Sequence, residues 1–509
     1  MKTKNGITLL MAFMMITMVS KAQDKSGVSY QEPHRPQVHF SPEQHWVNDP
    51  NGMVYFNHTY HLFFQYYPKD IIWGPMHWGH AVSKDLVHWK QLPIALYPDS
   101  LGYIFSGSAV VDSNNTSGFG KKGKIPMVAI FTHHDPKGEK AGTEVFQNQS
   151  IAYSLDEGST WTKYAGNPVL KNPGIKDFRD PKVMWYAKQK KWVMTLATKD
   201  HITFYSAPDL KTWKKESEFG LREGAHGGVW ECPDLFPLKL NGKTYWILVV
   251  NLNPGGPNGG SATQYFVGGF DGHQFTPMDS QTRWLDYGPD EYAGITWSNT
   301  GSRKIFLGWM SNWEYANQVP TQKWRNAMTI PRDLRLKQSK QGIVIASAPV
   351  PELVNISANT SVSKNVAFNK TLELTDKVSK LKSQYVLKLT LAQLKGYTIK
   401  LSNKKGEEVL VGYDDVKDQY FIDRTKSGKI DFQKDFSGRF TAPRFSTSKS
   451  SDLTIVVDKA SVELFADGGL TTMTAVYFPN EDFTGLTINA DGKLKLNTLA
   501  ITGLKSIWK

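Results

Sequence analysis

The sequence predicts an all-β protein, a five-bladed β-propeller over residues 35–345 followed by a C-terminal β-sandwich over residues 356–509. Three observations lead there. Compact or alternating apolar runs recur between Gly, Pro, Asn and Asp turns, and convincing amphipathic helices are hard to find. A turn motif, an acid followed by an aromatic, returns every ~50–70 residues through the first half. Tryptophan becomes scarce after residue 355.

The elements follow in order. Residues 1–22 have the pattern of an export signal. Lys2 and Lys4 precede the apolar run Ile7 to Val19, which is too short for a comfortable membrane span, and Ser20-Lys21-Ala22 has the small-x-small form of a cleavage site. The expected mature protein is periplasmic or secreted. Strands are expected at Met53–Phe56, His61–Tyr66, Met127–Phe131, Ser150–Ser154, Trp192–Ala197, Thr203–Ser206, Tyr245–Val250, Gln264–Phe270 and Lys304–Trp309. Between them the run Ser83-Lys-Asp85-Leu-Val-His-Trp89 is echoed by Ala207-Pro-Asp209-Leu-Lys-Thr-Trp213. Looser copies stand at Ser154–Trp161 and Phe270–Phe275. Each reads as a hairpin near the outer edge of a four-stranded blade. Four echoes plus the first strands near Asp49 give five blades. Residues 344–355, punctuated by Pro349 and Pro351, read as a boundary. Beyond them, alternations at Tyr385–Leu391, Leu453–Val457 and Ser461–Phe465, with Gly turns at 467–469 and 491–492, suit two packed sheets.

Composition narrows the function classes. Removing residues 1–22 takes away three lysines and no acid, leaving +10 of the formal +13. The lysines are scattered, many over the last third (Lys377, Lys380, Lys404, Lys426), and form no compact basic stripe, so a solvated surface is expected rather than nucleic acid binding. The single cysteine, Cys232, excludes an internal disulfide and reads as a small buried packing residue. His133-His134-Asp135 does not make a metal site, because adjacent strand residues point to opposite faces and no spaced partner follows. The Gly-rich run Asn253–Gly260 lacks the lysine and helix of a phosphate loop. Sixteen Trp and 21 Tyr fit a carbohydrate binder as well as an ordinary β protein.

Three acids stand out. Asp49 lies in WVNDPNG (46–52), Asp180 in FRDP (178–181) and Glu231 in WECPD (230–234), each with an aromatic residue and a Pro close by. A glycosidase needs one ionised and one protonated carboxyl group, and a third can hold sugar hydroxyls. In a propeller the innermost strands line one axial cavity, so segments this far apart in sequence can meet.

These three runs resemble the signature boxes of glycoside hydrolase family 32, the invertases, inulinases and levanases that act on β-fructofuranosides. The likeness runs from His39 through the terminal sandwich. Val47 stands where Met is common, away from the chemistry. The resemblance implies double displacement with retention, with the two carboxyl groups about 5–5.5 Å apart. Asp49 would attack the anomeric carbon. Glu231 would protonate the leaving oxygen and then deprotonate water. Asp180 would accept hydrogen bonds from ring hydroxyls. Arg179 would keep Asp180 ionised or serve as a structural ion pair. Asn48 and Gln65 would hold fructosyl hydroxyls, Trp73 would wall the pocket, and Phe105 and Ser106 would line its floor. Asp286 and Trp313 would complete the rim, with Asp290 a competitor of Asp286. No metal or cofactor is implied.

The function expected from the resemblance is release of fructose from fructan or fructo-oligosaccharide, exo-acting on levan or inulin and also on sucrose. The run Ala316–Arg325 resembles the microbial fructan-degrading branch. Alternatives are an endo-levanase, a sucrose-specific invertase, a fructosyltransferase and, in another class, a non-catalytic fructan-binding protein. A monomer or homodimer is expected.

Overall fold

The computed structural model describes residues 29–508; the expected export signal lies outside them. Five antiparallel blades follow one another in chain order. Their first strands are His45–Phe56, Tyr103–Val111, Phe178–Tyr186, Val229–Leu240 and Tyr292–Thr296. Each first strand contacts the first strand of the next blade, and the fifth returns to the first. This closes a ring around an axis. The closure is hydrogen-bonded: Ser298 N donates to Met53 O at 2.9 Å and Tyr55 N to Ser298 O at 3.0 Å. Trp324–Arg325 also pairs in parallel with His45 and Trp46.

The core is a set of wedges between adjacent blades. Blades one and two share Val54, Phe63, Trp78, Ile104 and Phe131. Blades two and three share Val128, Ile130, Val183 and Met194. Matching clusters fill the other gaps. Both faces of a blade are therefore covered, which is why strands such as Met127–His134 are buried at every position and read as solid apolar runs instead of clean alternations.

The repeated turn is the link between the third and fourth strands of blades one to four. Asp85 accepts from the backbone N–H groups of Val87 and His88, and Asp209 from those of Lys211 and Thr212. Asp156 accepts from Thr160 N, and Asp271 from His273 N and Gln274 N. The residue after each Asp is left-handed: Leu86, Glu157, Leu210 and Gly272. The carboxylate stabilises that strained turn by satisfying its N–H groups. The accounting differs from the sequence expectation in one respect. The strands around Asp49 belong to the same blade as the first echo, and the fifth blade has no echo, because its last two strands, Arg332–Ser339 and Gly342–Pro349, join through a tight turn.

The C-terminal strands form one ten-stranded sheet folded into a sandwich. The long strand Gly485–Leu504 is the hinge. Its first part pairs with Tyr397–Ser402 and its second with Tyr385–Leu391, so it belongs to both layers. Leu387, Ile399, Ile455 and Leu464 meet between them. The sandwich docks on the propeller through the loop before the fifth blade: Tyr287 N donates to Thr472 O at 2.9 Å and Asp290 N to Thr474 O at 3.2 Å. A Cβ on Gly288 would lie 2.0 Å from Thr474 O, so only glycine permits this approach.

Candidate active site

Every first strand breaks its ladder at the same level. Asn48-Asp49 stand opposite Gln65 alone, Phe105-Ser106 opposite Thr132, Asp180-Pro181 opposite Leu196, Cys232-Pro233 opposite Val250, and Ala293-Gly294 opposite Gly308. Such bulges bend a strand and re-aim its side chains. In blades three to five the first bulge residue has positive φ: Asp180 63°, Cys232 41°, Ala293 54°. The ring of bulges turns side chains of Asp49, Ser106, Asp180 and Glu231 into one cavity of about 320 Å³ at the axis.

Asp49 is held by neutral donors. Asn48 Nδ2 donates to Oδ1 at 2.8 Å, Ser106 Oγ to Oδ2 at 2.7 Å, and the Cys232 thiol to Oδ2 at 3.4 Å. Asn48 is itself fixed by Trp46 Nε1 at 2.7 Å. No cation pairs with Asp49 among the described residues, so its carboxylate is oriented without being neutralised.

Glu231 has charged and phenolic partners. Arg179 Nε and Nη2 donate to Oε1 at 3.1 and 3.0 Å, and the Tyr292 hydroxyl donates to Oε2. Burial, then the Glu231 charge, pushes the Tyr292 phenol far up, so it stays a donor. Arg179 Nη1 also reaches Asp177 Oδ1 at 2.6 Å.

Asp180 is the most buried of the three acids. It accepts from Cys232 N at 3.1 Å and from the thiol at 3.6 Å. Burial raises its carboxyl to about 7; Glu231 and Asp49 push the same way, while Arg179 and the Cys232 N–H oppose. The pairing expected between Arg179 and Asp180 is present only as a long ion pair. Arg179 Nε stays 4.0 Å from Asp180 Oδ2, because its guanidinium turns to Glu231 and Asp177. Cys232 is also more than packing. Burial, with the carboxylates of Asp180, Asp49 and Glu231, pushes its thiol well up, and the neutral S–H bridges Asp49 and Asp180.

Gln65, Trp73, Phe105 and Trp313 line the same cavity. Gln65 Nε2 is buried with no partner, and points to a polar ligand. Trp73 is 39% exposed and meets Phe105 edge-on at 6.1 Å. Trp313 stacks on Trp46 at 5.9 Å. Asp286 is not at the rim. It is buried at the junction with the sandwich, accepting from Arg332 Nη1 at 2.9 Å and from Thr474 N at 2.9 Å. Asp290 sits in the same junction, on Arg424 and Tyr315. A Gly/Pro loop with acids suits a docking segment as well as a substrate loop, and the chain direction of the blade sends this one to the sandwich. Sequence reasoning passed over Tyr292, His134, Glu139, Gln147, Lys176 and Asp177. Tyr292 was within reach, three residues after Pro289 in the same run; His134 and Gln147 stand at strand ends, Glu139 in a short helix and Lys176 and Asp177 in a loop, all without a signature.

A model of the glycosyl hydrolases family 32 N-terminal domain matches residues 39–347, and one of the family's C-terminal domain matches 352–503. The chain belongs to glycosyl hydrolase family 32. It is a glycoside hydrolase. Relatives in the family agree in sequence and shape. A levanase of Bacillus subtilis (strain 168) is 45% identical, across 100% of this chain and 76% of its own length. An extracellular exo-inulinase of Aspergillus niger is 42% identical, across 92% of this chain and 94% of its own. The crystal structure of exo-inulinase from Aspergillus awamori superposes with a TM-score of 0.86 at 39% identity, covering 94% of this chain and 100% of that one. Among the described residues no helix is long and apolar enough to cross a membrane.

Proposed function

We propose that this family 32 hydrolase is exported and releases fructose, one unit at a time, from the ends of levan or inulin, and also from sucrose. The observation that carries the reading is the meeting of Asp49, Asp180 and Glu231, from three different blades, in one cavity. Asp49, oriented by Asn48, Ser106 and Cys232, attacks the anomeric carbon of the fructosyl unit. Glu231 gives a proton to the leaving oxygen and takes one from the incoming water. Asp180 accepts from ring hydroxyls, bonds that tighten as positive charge develops on the ring. Gln65 supplies a donor that has no protein partner.

Exo action is supported by the likeness in sequence and shape to exo-inulinases. Export is supported by residues 1–22 and by the relative named extracellular. The test is to incubate the full mature protein with levan, inulin and sucrose and to resolve the earliest products. Fructose alone from the start is expected. Early oligosaccharides would replace exo with endo action, and binding without hydrolysis would remove the enzymatic reading. Asp49→Asn is expected to abolish turnover while keeping substrate binding.

A further inference from the structure

The cavity has two unlike ends. At the inner end Asn48, Gln65 and Ser106 surround Asp49. At the mouth stand Glu139 and Lys176, both exposed and neither used in bond cleavage. Glu139 is tied back to the acid by a chain of polar contacts. Its Oε2 lies 3.1 Å from His134 Nε2, His134 Nδ1 lies 3.3 Å from Gln147 Nε2, and Gln147 Oε1 lies 3.5 Å from Arg179 Nη1. Arg179 then reaches Glu231. The amide donor of Gln147 assigns the His134 proton to Nε2, facing Glu139. Lys176 precedes Asp177, the other partner of Arg179, and its ammonium meets no carboxylate or carbonyl among the described residues.

These positions share one side of the cavity, the side of Glu231. A group that Glu231 protonates leaves past them. Beside Glu139, in the same cavity, runs an apolar wall: Phe105 stacks on His134 at 4.2 Å, and Phe146 meets the same ring edge-on at 5.3 Å. An ammonium that donates, a carboxylate that accepts and an aromatic wall in one cavity match the hydroxyls and C–H face of a sugar.

We infer that Glu139 and Lys176 form a leaving-group subsite that holds the second sugar unit of an oligofructan. The inference rests on the roles given above to Asp49 and Glu231. The subsite makes the enzyme selective for a sugar leaving group over a small one.

The test uses the full mature chain and two substrates, a fructose trisaccharide and methyl β-D-fructofuranoside, whose leaving group is too small to span the mouth. For Lys176→Ala and for Glu139→Ala, the ratio of kcat/KM on the trisaccharide to kcat/KM on the methyl fructoside is expected to fall about tenfold, the loss of one charged hydrogen bond. Lys176→Arg is expected to restore most of that ratio. An equal fall on both substrates, or no fall on either, overturns the subsite alone. A wild-type protein that cleaves neither substrate overturns the catalytic reading and the subsite with it.

Discussion

Arg179 closes on Glu231, at 3.0 and 3.1 Å from Oε1, and not on its sequence neighbour Asp180, from which Nε stays 4.0 Å away. Two nitrogens of one guanidinium thus converge on a single Glu231 oxygen while the third holds Asp177. A lysine has one point of charge and cannot serve both carboxylates. Arg179→Lys is therefore expected to lower kcat/KM on sucrose about a hundredfold through misplacement of Glu231, with the melting temperature little changed. Steady-state kinetics beside a thermal melt checks it. Activity within twofold of wild type would leave Arg179 a structural ion pair.

The Cys232 thiol is a donor, not a nucleophile. It sits under 10% exposed between two acids, whose charges and burial keep it protonated. Cys232→Ser keeps a donor in place and is expected to retain activity within a few-fold. Cys232→Ala removes the bond to both Asp49 and Asp180 and is expected to lower kcat about tenfold. The thiol is also expected to resist iodoacetamide at pH 8 in the folded protein. Equal activity of the two variants would return Cys232 to a packing role.

The fold was legible because its unit repeats. The Asp-plus-aromatic turn is a local device, so Asp85, Asp156, Asp209 and Asp271 announce it in the sequence whatever surrounds them. The three acids were legible because their neighbours form family signatures. The bulges were not. Which residue stands opposite which depends on pairing across strands, and no pattern in Phe178–Tyr186 says that Asp180 takes a positive φ. The direction of a loop was not legible either, so Asp286 was assigned to the mouth when it serves the junction with the sandwich. Cys232 packs in the core as expected, but its second role was hidden for a related reason: a small buried residue looks alike in sequence whether it only fills space or also bridges two carboxylates.

Asp180 should leave a mark on stability. Burial and the charges of Glu231 and Asp49 raise its carboxyl to about 7, above the ordinary 3.8. Between those values the folded chain holds a proton that the unfolded chain has released, so stability falls as pH rises and levels off above about 7. Each unit of the interval contributes at most ~1.4 kcal/mol. Asp180→Asn removes this term. Unfolding of wild type and variant is expected to diverge between pH 4.5 and 7, the variant gaining on the wild type. Parallel curves would mean that Asp180 is ionised across the range.

The junction with the sandwich titrates at both ends of the pH range: His39 in the same sense as Asp180, Glu463 in the opposite one. His39 Nδ1 lies 2.9 Å from Asp458 Oδ2 and Nε2 lies 2.8 Å from Glu463 Oε1, all of them buried. Burial disfavours the imidazolium, but the two hydrogen-bonded carboxylates outweigh it and raise His39 to about 9. Burial likewise works against the Glu463 carboxylate, and Arg332, with His39, overcomes it and holds the group down to about 2. The His39 contribution is therefore full below about 6.5 and is lost as pH rises through 9; that of Glu463 is full above about 4.5 and is lost as pH falls through 2. Both are present near pH 5.5. Removing one partner of such a buried group leaves the others unpaired and costs about 3–5 kcal/mol. His39→Gln is expected to show that loss in chemical unfolding at pH 5.5 and a clearly smaller one at pH 9.5, where wild-type His39 is itself losing its proton. A loss of equal size at both values would mean that His39 joins propeller and sandwich by shape and neutral hydrogen bonds, without its charge.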